Sequence, residues 1–203
     1  MEASHGCWGR PSTTVVRSSE ARVFSKRVYL TSRETDGAAG YRLVDYGCHY
    51  GKRATYRLPQ QGEFGITAIP RAPLALSGRF VGYVQRFSSA AGGDNVEVTV
   101  RNLVTGRVLH GFSGSESNFD SSFPVFDLVV KRNGSAAWIS EDRSNPDGSP
   151  RETENQVHVA DVSGQRRIVD RGAGIEPRSL ELTPDCRAIV YTKDAERRTV
   201  PLD

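Results

Sequence analysis

Long apolar runs, helical periodicity, clustered cysteines and blocks of like charge are all missing from this 203-residue sequence. No apolar run approaches the ~20 residues that a membrane-spanning helix needs, so no membrane span is expected. The first ten residues, MEASHGCWGR, lack the apolar stretch of a signal peptide. Either the chain is cytoplasmic, or it is the mature form of a protein exported by a bacterium. Lysine is scarce as well: only Lys26, Lys52, Lys131 and Lys193 occur, so most positive charge is arginine. The formal charge of +3 is small for a nucleic-acid footprint, and no nucleic-acid partner is expected. That charge is uneven, with 10 Lys and Arg against 5 Asp and Glu over residues 1–60, and 10 against 13 over 141–203.

Recognisable catalytic spacings are missing too. The four histidines (His5, His49, His110, His158) show no metal-ligand spacing. His158 alternates with Val157 and Val159, which predicts a surface histidine on the outer face of a strand. GFSGS (111–115) has Ser115 where a nucleophile elbow needs glycine. Of the three cysteines, Cys7 and Cys48 lie in polar, glycine-flanked segments. A Cys7–Cys48 disulfide would tie the N-terminal tail to the first third of an exported domain; the alternative is three unrelated thiols.

What is present is β pattern. Runs such as VEVTVRNL (96–103) and QVHVADV (156–162) alternate apolar and polar residues, with Gly, Asn, Asp, Pro and Ser clustered between them. The pattern also repeats. Pro70 leads to Leu74 and Leu76, then Ser77-Gly78, then FVGYV; Pro124 leads to Leu128 and Val130, then Asn133-Gly134, then SAAWI. Pro177 leads to Leu180 and Leu182, then Pro184-Asp185-Cys186, then AIVYT, and a weaker copy starts at Pro11. A second half recurs as VTVRNLVTGRVLHGF (98–112), VHVADVSGQRRIVD (157–170) and, more loosely, YRLVDYGCHYGKRATYRL (41–58). Gly51, Gly106 and Gly164 would mark its turns, where a positive φ is cheap for glycine. The expectation is a single all-β domain over 1–203, built of four-stranded antiparallel units near 11–62, 70–116, 124–172 and 177–203, the last incomplete. An irregular β-sandwich or barrel is the alternative.

LTPDCRAIVYT (182–192) resembles the signature of TolB-type, WD-repeat-like β-propeller repeats, in which Ser/Thr-Pro-Asp-Gly and a basic residue precede an apolar strand ending in tyrosine. Thr183, Pro184, Asp185, Arg187 and Tyr191 match, and Cys186 stands where the repeat has glycine. The resemblance implies a β-propeller-like array of about four blades. Tyr83, Trp138 and Tyr191 hold the same place in three units, which predicts packing between blades.

Loops grouped on one face of such a scaffold are where binding usually resides. The loops 88–95 and 141–155 hold equivalent positions, and 113–122 is a third long insert. Candidate binding residues are Phe119 and Asp120 in the last of these, and Asp142, Asn145 and Asp147 in the acidic loop. Phe119 would either stack on a sugar or peptide or pack on the core. Glu141, Asp142 and Asp147 offer hard oxygen ligands for Ca²⁺, without EF-hand spacing and with Arg143 and Arg151 competing for them; no other cofactor is expected. Asp127, Asp161, Asp170 and Glu181 are the carboxylates that would serve a glycosidase, should two converge. The leading expectation is a non-catalytic, exported binding module for a protein or carbohydrate partner, oligomeric if its ring is not closed. A glycoside hydrolase or lyase on the same scaffold is the rival.

Overall fold

The computed structural model describes residues 7, 13–30, 40–52, 54–58, 73–88, 94–113, 124–142 and 153–203. Every regular element among them is a β-strand, and the strands form four antiparallel sheets in simple up-and-down order. The first holds β1 (Thr13–Arg17), β2 (Ala21–Leu30), β3 (Gly40–His49) and β4 (Thr55–Leu58). The second holds β5 (Leu74–Ser77), β6 (Phe80–Ser88), β7 (Asp94–Asn102) and β8 (Val108–Ser113). The third holds β9 (Val125–Val130), β10 (Ala136–Asp142), β11 (Glu154–Ala160) and β12 (Arg166–Gly172). In the fourth, β13 (Glu181–Leu182), β14 (Ala188–Lys193) and β15 (Glu196–Pro201) make a three-stranded sheet. The fold is thus a propeller-like series of repeated sheets, none closed into a barrel.

Local chemistry explains why the chain turns where it does. In the hairpins between second-half strands, Asn102 Oδ1 accepts from the Val104 and Thr105 amides, and Asp161 Oδ1 accepts from Ser163 and Gln165. Each side chain stands in for a backbone acceptor and starts the turn. The left-handed residue that follows is Gly106 (φ 75°) or Gly164 (φ 87°). The first-half hairpins use the same device. Asn133 Oδ1 accepts from the Ser135 amide around Gly134 (φ 100°), and Asp185 Oδ1 from the Arg187 amide around Cys186 (φ 57°). Gly51 departs from the expected pattern: its φ is not positive, and its amide donates to Nδ1 of His49 at 3.1 Å.

Packing runs from each sheet to the next. Ala21, Val23 and Leu58 of the first sheet meet Val81, Tyr83 and Leu103. Val84, Val98 and Phe112 of the second meet Leu128, Ala136 and Trp138 of the third. Ile139, Val157 and Val159 of the third meet Ile189 and Tyr191 of the fourth. Tyr83, Trp138 and Tyr191 each stand on the second strand of their sheet and each bury against the sheet before it, so they are inter-sheet packing. β1 touches β5 and β5 touches β9, as when sheets radiate from a common side. Gly82 sets one of these spacings, because a Cβ there would lie 2.5 Å from a Val130 methyl.

The first and fourth sheets differ on their outer faces. On the far face of the first sheet, Cys7 and Cys48 form a disulfide, and both bury with Phe24 beside Tyr46 and Tyr50. On the far side of the fourth sheet Glu181, Arg197, Thr199 and Pro201 are exposed, and Glu181 pairs with Arg197 across it. No buried cluster joins the first sheet to the fourth among the described residues. Among these residues, too, no helix is long and apolar enough to cross a membrane.

Candidate binding surface

Strands β2 and β3 are ten residues each, while the strands flanking them are half as long or shorter. β1 pairs with β2 only as far as Ser25, and β4 pairs with β3 only from Asp45 onward. Beyond those points, 26–30 and 40–44 continue as a ribbon of two strands, with no third among the described residues. Pairing of Arg27 with Leu43 and Tyr29 with Tyr41 puts these four side chains on one face. Lower down, the same face carries Ala21 and Val23, which are buried against the second sheet. The ribbon is therefore anchored at its base and open at its tip.

At the tip the burial reverses. Tyr29 is 56% exposed, Tyr41 60% and Leu43 68%, more than any other large hydrophobic residue described. The two tyrosine rings meet edge to face at 5.3 Å, and the Arg27 guanidinium lies 4.8 Å over the Tyr41 ring. The opposite face adds Lys26, 5.9 Å over Tyr46, and Arg22, 4.8 Å over Phe24. Between the buried base and the exposed tip, the Ser25 hydroxyl donates to Oδ1 of the buried Asp45. The ribbon belongs to the same connection, second strand to third, from which the 88–95 and 141–155 loops spring in the next two sheets.

The expected site residues fall elsewhere. Phe119, Asp120, Asn145 and Asp147 lie outside the described residues, as do Asp120's loop neighbours and the side chain of Asp142. Glu141 corrects the boundary of the acidic loop: it pairs with Asn155 inside the β10–β11 hairpin and is buried. Among the described residues no group of three His, Cys, Asp or Glu is placed to hold a metal ion.

His158 is also a correction, because it is fully buried rather than on the surface. The third sheet is covered on both faces, so alternation there separates two interiors rather than inside from outside. Its ring stacks on Trp138 at 4.9 Å, and its Nε2 pairs with the Ser140 hydroxyl at 3.0 Å. Burial, with help from the Arg166 and Arg171 charges, lowers its pKa to about 3. His158 Nδ1 and Trp138 Nε1 have no hydrogen-bond partner among the described residues.

The strand carboxylates do not form an open acidic pair. Asp127 accepts the Leu128 amide at 2.9 Å and the Leu180 amide at 3.0 Å, one on each oxygen. Burial raises its pKa against those two bonds. Asp170 gives Oδ2 to the Tyr191 hydroxyl and Oδ1 to the Lys193 ammonium. Asp161 is used in its own turn, and Glu181 pairs with Arg197 at 3.1 Å.

No family model matches the chain, and no curated protein matches it.

The ribbon is not marked by the glycine and serine that distinguish the long loops 88–95 and 113–122. The available signal is length: in ARVFSKRVYL and GYRLVDYGCH, aromatic and basic residues continue past where the flanking strands stop.

Proposed function

We propose that this protein is a non-catalytic, exported, TolB-type propeller-like binding module that presents the tip of its first sheet to a carbohydrate or protein partner. The observation that carries this reading is the exposed Arg27, Tyr29, Tyr41 and Leu43 face on a buried base. Exposed tyrosines are amphipathic surfaces that stack on a sugar ring while their hydroxyls bond to its edge, so the aromatic chemistry favours carbohydrate. The Cys7–Cys48 disulfide supports the exported setting, since such bonds persist in oxidising compartments. A glycosidase needs two carboxylates free to flank one bond, whereas both oxygens of Asp127 and of Asp170 are already committed.

The test is retention on a panel of immobilised neutral and acidic polysaccharides, with the Tyr29→Ala/Tyr41→Ala double variant alongside. Binding to at least one polysaccharide that the variant loses supports the carbohydrate reading. Equal retention of both proteins removes the ribbon from the function, and no retention anywhere removes carbohydrate.

A further inference from the structure

We infer that the ribbon tip takes an acidic polysaccharide, with Arg27 meeting its carboxylates and the Tyr29–Tyr41 pair meeting its rings. This rests on the binding-module reading and names its ligand class.

Charge decides the class. Positions 26–30 and 40–44 include no acidic residue, and the face that carries Tyr29, Tyr41 and Leu43 has Arg27 as its cation, with Lys26 on the opposite face. The nearest strand carboxylate, Asp45, is buried and turned to the Ser25 hydroxyl. Among the described residues neither Lys26 nor Arg27 has an ion-pair partner. A neutral glycan would leave the Arg27 charge on this face without an anion. Arg27 is also well disposed for a carboxylate: its contact with Tyr41 is through the charge over the ring, and the guanidinium N–H groups remain for bidentate bonding.

Spacing fits a polymer. Alternate residues on one strand face stand about 7 Å apart, and cross-strand partners about 5 Å. A chain lying along the ribbon thus meets a cation at Arg27 and an aromatic surface at Tyr29 in succession, with Leu43 and Tyr41 alongside. Among the described residues the outward backbone groups of 26–30 and 40–44 have no strand partner to compete with sugar hydroxyls. A nucleic acid offers anions and stacking faces too. The modest net charge of +3 and the disulfide of an oxidising setting favour the polysaccharide.

The experiment measures binding of the whole oxidised chain to polygalacturonate, to dextran and to an oligo(dT) strand. We expect polygalacturonate to bind, and to bind at least about tenfold more weakly when NaCl rises from about 50 mM to about 500 mM, where screening shortens to a few ångströms. Arg27→Gln should weaken it by about tenfold at low salt, the scale of a lost charge-assisted contact. Leu43→Asp, at the most exposed position of the face, should weaken it further by placing a like charge against the polymer. It also keeps the test open if Arg27→Gln does not fold. Arg197→Gln, on the fourth sheet, should bind as the unaltered protein does. Dextran binding of equal strength and without salt dependence would overturn the acidic class while leaving the binding module standing. Oligo(dT) bound as tightly as polygalacturonate would overturn the polysaccharide. Folded variants that bind unchanged would overturn the site, and no binding to any of the three would overturn both readings.

Discussion

The Tyr191 hydroxyl donates to Oδ2 of Asp170 at 2.7 Å, while the Lys193 ammonium holds Oδ1 of the same carboxylate at 2.6 Å. One side chain of the third sheet is thereby tied to two of the fourth. Burial alone would raise the Asp170 pKa, but the bonds from Lys193, Tyr191 and the Arg171 amide outweigh it and the net shift is downward. The same arrangement raises the Tyr191 hydroxyl pKa, through burial and the neighbouring carboxylate. Tyr191→Phe should cost about 1 kcal/mol, and Asp170→Asn about 1–3 kcal/mol because Lys193 then loses its counter-charge. Because the folded pKa lies below the unfolded one, this stability is present above about pH 4 and is lost as pH falls further. Urea unfolding of the two variants at neutral pH and at about pH 3 checks both size and sign.

His158 predicts a second, separable acid limb. Its folded pKa of about 3 lies below the ordinary value of 6.5, so the unfolded chain takes up a proton that the fold refuses. Stability should therefore be full above pH 6.5 and fall below it, with a limiting slope of about 1.4 kcal/mol per pH unit. Between about pH 6 and 5 the carboxylates are still ionised, so that window isolates the histidine. His158→Gln should be less stable at pH 7.5, having lost the Trp138 stack, yet flat across this window. An unaltered slope in the variant would refute the assignment.

Cys186 occupies a left-handed turn position that suits glycine. At φ 57° its Cβ crowds the backbone, a strain of about 1–2 kcal/mol for an L-residue, offset in a variant by the greater freedom of an unfolded glycine. Cys186→Gly should raise stability by a few tenths to about 1 kcal/mol, read as a higher melting temperature. The thiol is exposed and unpaired, so the variant should also show no reactive thiol when denatured without reductant.

The same assay on the unaltered protein should count one thiol, since Cys7 and Cys48 are joined across 41 residues. A loop of that length is worth about 4 kcal/mol in the chain-entropy account. Reduction, or Cys48→Ser, should lower the melting temperature accordingly, and a count of three thiols would refute the bond.

Much of the architecture was legible because local chemistry repeats. Asn133-Gly134 and Asp185-Cys186 turn the chain in the same way, and the aromatic on the following strand packs backward each time. Burial was less legible. His158 reads as an outward residue only if its sheet has an outside, and whether a sheet is covered on both faces is decided by tertiary packing. The ribbon tip was hidden for the opposite reason. Tyr29, Tyr41 and Leu43 read as core residues by type, but the second sheet buries only the base of their face, at Ala21 and Val23.

The Cys7–Cys48 bond does more than shorten the unfolded chain. It holds a buried cap over Phe24, beside Tyr46 and Tyr50, on a face that no other sheet of the described residues covers. Oxidation of one pair of thiols thus fixes Cys7 against the outer face of the first sheet. In a reducing milieu the cover over Phe24 would rest on packing alone, without a covalent tie between Cys7 and Cys48.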